Sequence, residues 1–303
     1  MDRPWLKRLA AVALFIGAAL AGDRLFAHFA ASAVAASQFR LSQIYGGRVD
    51  TDIFVIGNSR GVHSIFAPRL AQASCRRTFN AAYNGLSALA MSAVFKDYLE
   101  RNRAPKFALI EISASPVFDL SAAELKTYAP LSERLQRFFE IANGRYRFWS
   151  RFTQLYHFNT ELFLRALFYL RHDDQDWIIE GRQITPEMVR EYPGVEKGTL
   201  DESVRRNGAL LSMARAARAA GVEPIYFIAP YHPVVFEREP RLEPWLAHQR
   251  EIAPDVPLID LSHAIRDDAA FADPIHLNKA GSYQLIDALL KTPEGQRLDA
   301  CAR

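Results

Sequence analysis

The sequence contains little cysteine: Cys75 and Cys301 are the two in its 303 residues. A CxxC redox pair and a zinc knuckle are excluded, because both need thiols a few residues apart. In an exported protein an even number of cysteines permits one disulfide. Two unrelated thiols are the alternative, and the cysteine count by itself leaves both open.

The chain also lacks an excess of charge, with 37 basic and 34 acidic side chains and a net charge of +3. Its arginines are spread along the sequence rather than gathered in one block, so no nucleic-acid partner is expected. No internal repeat or low-complexity tract stands out. His157, His172, His248 and His263 form no metal-ligand spacing with Asp or Glu, so neither a metal nor another cofactor is predicted.

The N-terminus, by contrast, has the pattern of an export signal. Three basic residues precede an apolar run over 9–21, and Asp23 follows it. The positive-inside rule keeps the basic flank in the cytoplasm. A small-x-small sequence at 19–21 offers a cleavage site, whereas the alanine-rich, mostly apolar stretch over 25–36 favours an uncleaved anchor.

We therefore expect 1–36 to be a signal or membrane-anchor helix, and 37–303 to be one domain outside the cytoplasm. An amphipathic N-terminal helix of a cytosolic protein is the alternative. Half of the residues are hydrophobic and 23% are charged, which is typical of a globular protein with a buried core.

Short apolar runs alternate with helical periodicity along the rest of the chain. Because such strands are apolar on both faces, the pattern predicts an α/β fold with a parallel, doubly wound, five-stranded sheet. The predicted strands are 52–56, 77–82, 107–112, 225–229 and 257–261.

The third and fourth strands are separated by far more residues than a crossover needs. We interpret 119–200 as a helical insert that serves as a lid or a partner surface. Its aromatic-rich stretch, 146–171, is expected to be helical and to form the core of the insert.

Ser59 is the candidate nucleophile, at the end of the run Asp52-Ile53-Phe54-Val55-Ile56-Gly57-Asn58-Ser59-Arg60. The serine follows the first strand, at the sheet edge where open α/β sheets place their ligands. A serine hydroxyl needs a base, and the late run Asp273-Pro274-Ile275-His276 supplies one. His276 would accept the Ser59 proton, and Asp273 would orient the imidazole. A helix-cap role for Ser59 and a surface turn at 273–276 are the structural alternatives.

The two runs resemble the SGNH (GDSL-like) hydrolases, whose DxxH pair matches Asp273 and His276. This resemblance implies a flavodoxin-like sheet and an oxyanion hole formed by the backbone N–H groups of Ser59 and Gly85, the latter ending Asn80-Ala81-Ala82-Tyr83-Asn84-Gly85. Ser115 stands where many members have a third donor, an asparagine, so Ser115 or Asn84 is the candidate for that role.

Gly-Asn-Ser-Arg in place of Gly-Asp-Ser, the N-terminal membrane segment and the helical insert resemble one branch of these hydrolases. That branch contains the alginate and cellulose acetylation proteins and the D-alanine transfer protein of teichoic acids. The resemblance implies an anchored, periplasmic serine esterase or O-acyltransferase that acts on a cell-envelope or secreted polysaccharide. Its partners would be the polysaccharide or another acyl ester, the membrane, and a membrane protein that donates the acyl group.

Two other functions are left open: a secreted lipase or thioesterase with the same triad, and a catalytically inactive scaffold of a polysaccharide-export complex. Arg60 and His232 are further candidates for substrate binding. In flavodoxin-like order, Cys75 and Cys301 both lie at the amino-terminal edge of the sheet, where a disulfide between them is geometrically feasible.

Overall fold

The computed structural model describes residues 4–114, 122–142, 144–174, 177–195, 200 and 204–301. The chain forms two compact units. Residues 1–46 and 123–174 form one, the helical unit, and residues 47–122 and 175–303 form the other, the sheet unit.

The strands of the sheet unit are short and almost entirely buried. Five of them pair in parallel in the order β2-β1-β3-β4-β5, and the last two form an antiparallel hairpin. The α/β fold with a five-stranded parallel sheet is thus confirmed, in the flavodoxin-like order. The strands are β1 Ile53–Ile56, β2 Thr78–Asn80, β3 Phe107–Glu111, β4 Glu223–Ile228, β5 Leu258–Asp260, β6 Phe271–Asp273 and β7 His276–Leu277.

The helices are α1 Pro4–Ala36, α2 Arg40–Tyr45, α3 Ser59–Ser64, α4 Ala67–Ser74, α5 Ala88–Arg101, α6 Ala122–Leu125, α7 Glu133–Ala142, α8 Gly144–Phe152, α9 Glu161–Phe168, α10 Pro186–Glu191, α11 Val204–Ala219, α12 Pro233–Arg238, α13 Leu242–Ile252, α14 Lys279–Lys291 and α15 Pro293–Gln296. Short 3₁₀ helices cover Lys126–Leu131, Gln154–Phe158 and Asp268–Ala270.

Both faces of the central strands are covered, which explains why their sequences are continuously apolar. On one face Phe54 of β1 stacks on Tyr98 of α5, with ring centroids 3.8 Å apart. On the other face Ile53 and Val55 join a core that includes Leu285 of α14. A one-residue shift in strand register would therefore exchange one buried set of side chains for the other rather than expose either.

Cys75 and Cys301 form a disulfide, with their Cα atoms 5.1 Å apart. Cys75 ends α4 in a left-handed conformation (φ 53°). The Ala300 N–H donates to the carbonyl of Ser74 at 2.8 Å, so backbone pairing also holds the C-terminal segment against α4.

In the helical unit, α1 is the dominant element. It is long and apolar enough to cross a membrane, a test that a signal sequence also passes. Its side chains are exposed over 5–22, whereas Ala27, Ala30 and Val34 are buried. Packing of the second half of α1 against the short helices of 123–174 builds the core of this unit.

The aromatic-rich stretch of the insert is divided into α8, a 3₁₀ helix and α9 rather than being one long helix. Thr160 starts α9 because its hydroxyl accepts a hydrogen bond from the Phe163 N–H. The division into units differs from the expected boundaries at 36, 119 and 200. Residues 123–174 pack with 1–46, whereas 177–195 belong with the sheet. Those domain boundaries stay a prediction.

Candidate active site

Ser59 is the first residue of α3, directly after the turn that follows β1. Asn58 caps this helix: its side-chain oxygen accepts a hydrogen bond from the Arg60 N–H at 2.8 Å. Gly57 precedes the cap, and a Cβ atom at that position would lie 2.6 Å from the Cβ of Glu111 on β3. The turn that presents Ser59 therefore needs glycine because of this close approach.

The hairpin of β6 and β7 carries the other two predicted residues. Asp273 Oδ1 accepts hydrogen bonds from the backbone N–H groups of Ile275 and His276, each at 3.0 Å. These bonds form an Asx-type turn that fixes the direction of the carboxylate. Asp273 is thus ordered by its own turn before it contacts the imidazole.

The structure brings Ser59, His276 and Asp273 together in one hydrogen-bonded chain. His276 Nε2 lies 2.8 Å from Ser59 Oγ, and Nδ1 lies 3.0 Å from Asp273 Oδ2 and 3.1 Å from Oδ1. Because a carboxylate only accepts hydrogen bonds, Nδ1 donates to Asp273, and in the neutral imidazole Nε2 is then free of a proton and accepts from the Ser59 hydroxyl. This is the protonation state that a general base for Ser59 needs.

Asp273 remains ionised over the range in which such a base would work. Burial raises the pKa of Asp273. The opposing effect of His276 and of the two backbone N–H groups is larger in sum, so the pKa lies below 3.8. The His276 and Asp273 side chains are 18% and 22% exposed, so the site is partly open to solvent.

One predicted oxyanion donor is at the start of a helix and the other is in the loop after β2. The Ser59 N–H is at the N-terminus of α3, and the Tyr83 N–H donates to the carbonyl of Gly57 at 3.1 Å, which joins the loop after β2 to the Ser59 turn. Gly85 follows in that loop with φ 72°, a conformation that favours glycine, and Asn84 and Gly85 are both exposed. Ser115 lies outside the described residues.

Arg60 was expected to bind substrate, and the structure gives it a different role. Its side chain is 2% exposed, and its guanidinium donates to the carbonyls of Ile275 at 2.6 Å, Ala229 at 2.5 Å and Pro230 at 2.9 Å. The guanidinium carbon also lies 3.5 Å from the ring centroid of Tyr231. A guanidinium that is buried and held in this way is not accessible to a substrate; instead it fastens the triad hairpin to α3 and to the end of β4.

Glu111 is the buried counter-charge to Arg60. The two side chains approach to 3.9 Å, and both are inaccessible to solvent. Burial raises the pKa of Glu111, while Arg60 and hydrogen bonds from Ser113 work in the opposite direction. The single acidic residue in the otherwise apolar β3 was the sequence signal of this pair.

His232 is also not placed to bind substrate. Its Nε2 lies 2.9 Å from Asp268 Oδ1, and its Nδ1 accepts from the Val234 N–H at 3.2 Å. Both ring nitrogens are therefore engaged, and the ring is buried against Phe271. The His232 backbone N–H donates to the carbonyl of Pro274 at 3.0 Å, so this residue helps to hold the triad hairpin in place.

Three further ring side chains lie beside the triad or beside the loop after β2, and none of them is among the predicted site residues. The ring of His63 on α3 meets that of His276 edge-on, with centroids 5.1 Å apart. Trp177 lies 5.6 Å from Tyr83. Tyr192 is partly buried; burial and the neighbouring Tyr231 raise its pKa to about 12, and the charge of Asp273 also acts on it. Of these only His63 is close to a motif in sequence, one helical turn after Ser59.

No group of three or more His, Cys, Asp or Glu side chains in the described part of the chain is arranged to hold a metal ion. No family model matches the chain, and no curated protein matches it. Among solved structures, the chain is similar to a Bacteroides fragilis protein named a "putative acylhydrolase", with 11% identity and a TM-score of 0.42 over 81% of this chain and 87% of that chain. At this distance the likeness has no bearing on the activity, so the chemistry rests on the geometry of the site.

Proposed function

We propose that the protein is a serine-dependent acyl-ester hydrolase or O-acyltransferase, with Ser59 as nucleophile, His276 as general base and acid, and Asp273 as the group that orients His276. The observation that carries this proposal is the hydrogen-bonded chain from Ser59 Oγ through His276 to Asp273, at 2.8 and 3.0 Å. Its order of contacts is the one that nucleophilic catalysis by serine requires.

The proposed reaction has two displacements. Ser59 Oγ attacks the carbonyl carbon of the donor while its proton passes to His276 Nε2, and N–H groups of Ser59 and Gly85 stabilise the oxyanion. His276 returns that proton to the leaving oxygen as its bond to the acyl carbon breaks, which leaves an acyl-serine. Water or a sugar hydroxyl then loses its proton to His276, attacks the acyl carbon and releases Ser59, which recovers the proton.

A polysaccharide of the cell envelope, or a secreted one, is the proposed substrate. Trp177 lies against Tyr83 in the loop after β2, Tyr192 lies close enough to Asp273 to feel its charge, and both are partly exposed. Aromatic faces of this kind suit the apolar faces of sugar rings. The apolar helix α1 and the basic residues that precede its apolar run support an anchored protein whose catalytic part is periplasmic. A membrane protein that transfers its acyl group to Ser59 would then be the partner.

The inactive-scaffold alternative predicts a serine and a histidine that do not converge, and the 2.8 Å contact argues against it. No observation favours the lipase or thioesterase alternative over a sugar-directed enzyme.

Short p-nitrophenyl esters test the chemistry with the purified full-length protein. We expect nitrophenol release and, by mass spectrometry of the intact protein, a gain of one acyl group that maps to Ser59. Ser64→Ala, a serine in the same helix, is the matched control and should retain both. Acylation at another residue, or unchanged turnover in Ser59→Ala, would refute the assignment.

Adding short oligosaccharides to the acyl-enzyme separates transferase from hydrolase. A transferase should give O-acylated sugar at the expense of free acid, whereas a hydrolase should give free acid at a rate that sugar does not change. Acyl transfer to a long-chain alcohol but not to sugar would favour the lipase alternative.

A further inference from the structure

The helical unit exposes a compact group of large aromatic side chains on α8. Phe148, Trp149 and Phe152 are 55%, 47% and 56% exposed. Phe148 and Phe152 are one helical turn apart and contact each other, with ring centroids 4.8 Å apart, and Trp149 meets Phe148 edge-on at 5.2 Å. We call these three side chains the aromatic face. Soluble proteins rarely leave such a group uncovered.

The helix that carries the aromatic face is hydrogen-bonded to α1 at Asp23 and Arg24. Asp23 of α1 accepts hydrogen bonds from Thr153 Oγ1 at 2.5 Å and from the Gln154 N–H at 2.8 Å, directly after α8 ends. Arg24 donates to the carbonyl of Phe152 at 3.3 Å. The C-terminal end of α8 is thus attached to α1 where charged residues interrupt its exposed apolar surface.

If α1 crosses a bilayer, the attachment point at Asp23 and Arg24 corresponds to a boundary of the hydrocarbon core. Charged residues bound the apolar run of α1 at Arg8 and at Asp23, and α8 is attached at the second of these two boundaries. The aromatic face therefore lies at the level of the lipid headgroups, where tryptophan and other amphipathic aromatic residues are favoured.

The charges of α8 match the same location. Arg147 and Arg151 are exposed, and α8 contains no acidic residue. Arginine beside exposed tryptophan and phenylalanine is the composition of a helix that lies in the interface of an anionic membrane. On one side of α1 the apolar surface also continues past Asp23, through Leu25 and Phe26.

We propose that the aromatic face docks onto the lipid bilayer beside α1, with Phe148, Trp149 and Phe152 in the headgroup region and the arginines of α8 toward anionic lipid. The inference rests on the proposed membrane anchor. The occupant is lipid rather than a soluble partner, because the face adjoins the lipid-exposed surface of α1 and lies at its boundary. Docking would give the helical unit a second attachment and hold it flat on the membrane.

Depth-dependent quenching in the full-length protein tests this proposal. An environment-sensitive fluorophore is attached to a new cysteine in Phe148→Cys or, separately, Phe152→Cys, with the Cys75–Cys301 disulfide left intact. Each labelled protein is reconstituted into vesicles of phosphatidylethanolamine and phosphatidylglycerol that carry a nitroxide near the headgroup or deep in the acyl chain. Iodide reports access from water. Ile16→Cys provides the reference for the anchor and Arg103→Cys the reference for an aqueous site.

We expect labels at 148 and 152 to lose most of their emission to the shallow nitroxide and little to iodide, and the label at 16 to respond to the deep nitroxide. Labels at 148 and 152 that behave like the one at 103 would overturn the docking proposal while leaving the anchor intact. Protection from both lipid nitroxide and iodide would mean that protein covers the face, which also overturns it. Loss of lipid quenching at 16 as well would refute the anchor itself.

Discussion

The two units differ in how far they bury their aromatic side chains. In the sheet unit, Phe54, Phe95 and Tyr98 are fully buried and contact one another: Tyr98 stacks on both phenylalanines, which are tilted relative to each other. In the helical unit, Phe148 and Phe152 are more than half exposed although they follow the buried Tyr146 in the same helix. The sheet unit thus buries these aromatic side chains, whereas the helical unit leaves part of its own exposed.

Among the residues that the structure describes, an arginine–carboxylate pair is buried in each unit, and the surroundings of the two pairs differ. Arg60 of the sheet unit contacts Glu111 at 3.9 Å and donates to three carbonyls that belong to the segments around the triad. Arg40 of the helical unit binds Asp174 through both its side chain, at 3.1 Å, and its backbone N–H, at 2.7 Å. The first pair orders the proposed active site, and the second joins the two chain segments of its unit.

The largest expected effect is the loss of ester turnover on replacing Ser59. This substitution tests the proposed chemistry of the sheet unit without changing its stability. Ser59→Ala should lower turnover of an activated ester by about 10⁵-fold or more, since triad members act as a unit. Ser59 is not part of the core, so the thermal unfolding midpoint should stay close to that of the unaltered protein.

Ester turnover and thermal unfolding of both Ser59→Ala and Ser64→Ala check this expectation. Comparable loss of turnover in the two variants would mean that α3 matters for packing rather than for chemistry.

Asp273→Asn is next in size and tests how the hairpin orients the base. An asparagine can present N–H to His276 Nδ1, which would favour the tautomer with the proton on Nε2 and leave no acceptor for Ser59. We expect turnover to fall by about 10⁴-fold with the fold retained. A variant that keeps turnover within tenfold would show that His276 does not depend on this carboxylate.

The two buried pairs allow the stabilities of the units to be compared directly. Arg60→Met leaves three carbonyls without their donor and Glu111 without its counter-charge, so the free energy of unfolding should fall by about 3–5 kcal/mol. Arg40→Met should have a similar effect in the helical unit. Arg77→Met, which removes the ion pairs of a half-exposed arginine with Asp50 and Asp52, is the control and should cost about 1 kcal/mol or less.

Hydrogen exchange by segment locates these effects. Faster exchange should be confined to the sheet unit in Arg60→Met and to the helical unit in Arg40→Met, provided that the units unfold independently. Uniform acceleration throughout the chain by either variant would show that the two units form one cooperative structure.

The disulfide belongs to the sheet unit, and its loss should act there. Replacing Cys75 and Cys301 by serine should lower the free energy of unfolding by about 2–5 kcal/mol, because the bridge closes a loop with a sequence separation of 226 residues. Denaturant titration of the variant beside the oxidised protein measures the loss. Two free thiols per chain in the denatured, unreduced natural protein would show that the bridge is absent.

The sequence predicted the sheet unit well because its signals are local. The apolar runs mark β1 and β3, and Gly57 and Ser59 mark the turn, since each of these features is dictated by neighbours a few residues away. The burial of Arg60 is not predictable from the sequence, because its acceptors, Ile275 and Ala229, are distant in sequence and are backbone groups that any residue could supply. A sequence shows that a charge exists near a motif but not whether the fold buries it.

The helical unit was predicted less well for a related reason. Its core depends on pairing 1–46 with 123–174, and no pattern in either segment specifies the other. The aromatic-rich stretch was interpreted as core, yet only part of it is buried: Tyr146 and Phe158 are inside, whereas Phe148 and Phe152 are not. Helical periodicity alone does not distinguish an apolar face that packs against protein from one that stays exposed.

The smallest expected effect concerns pH, and it should distinguish the two units. His157 of the helical unit is buried, and this burial, with a smaller contribution from the charge of Lys126, lowers its pKa below 6.5 against the opposing hydrogen bond to the Gln154 carbonyl. Nδ1 donates to that carbonyl at 2.9 Å, so Nε2 accepts from the Tyr146 hydroxyl at 3.0 Å. Protonating Nε2 would remove this acceptor inside the core.

As the pH falls through 6.5, the unfolded state therefore binds a proton that the folded helical unit does not, and stability declines until the folded-state pKa is reached. Asp273 of the sheet unit has a lowered pKa, so its contribution is retained above pH 3.8 and is lost only as the pH falls further. We expect segment-resolved hydrogen exchange at pH 5 to be faster than at pH 7, after correction for intrinsic rates, in 144–168 but not in the hairpin at 271–277. His157→Gln, which cannot titrate, should abolish the difference in the helical unit, and a pH effect that persists in this variant would rule out His157 as its source.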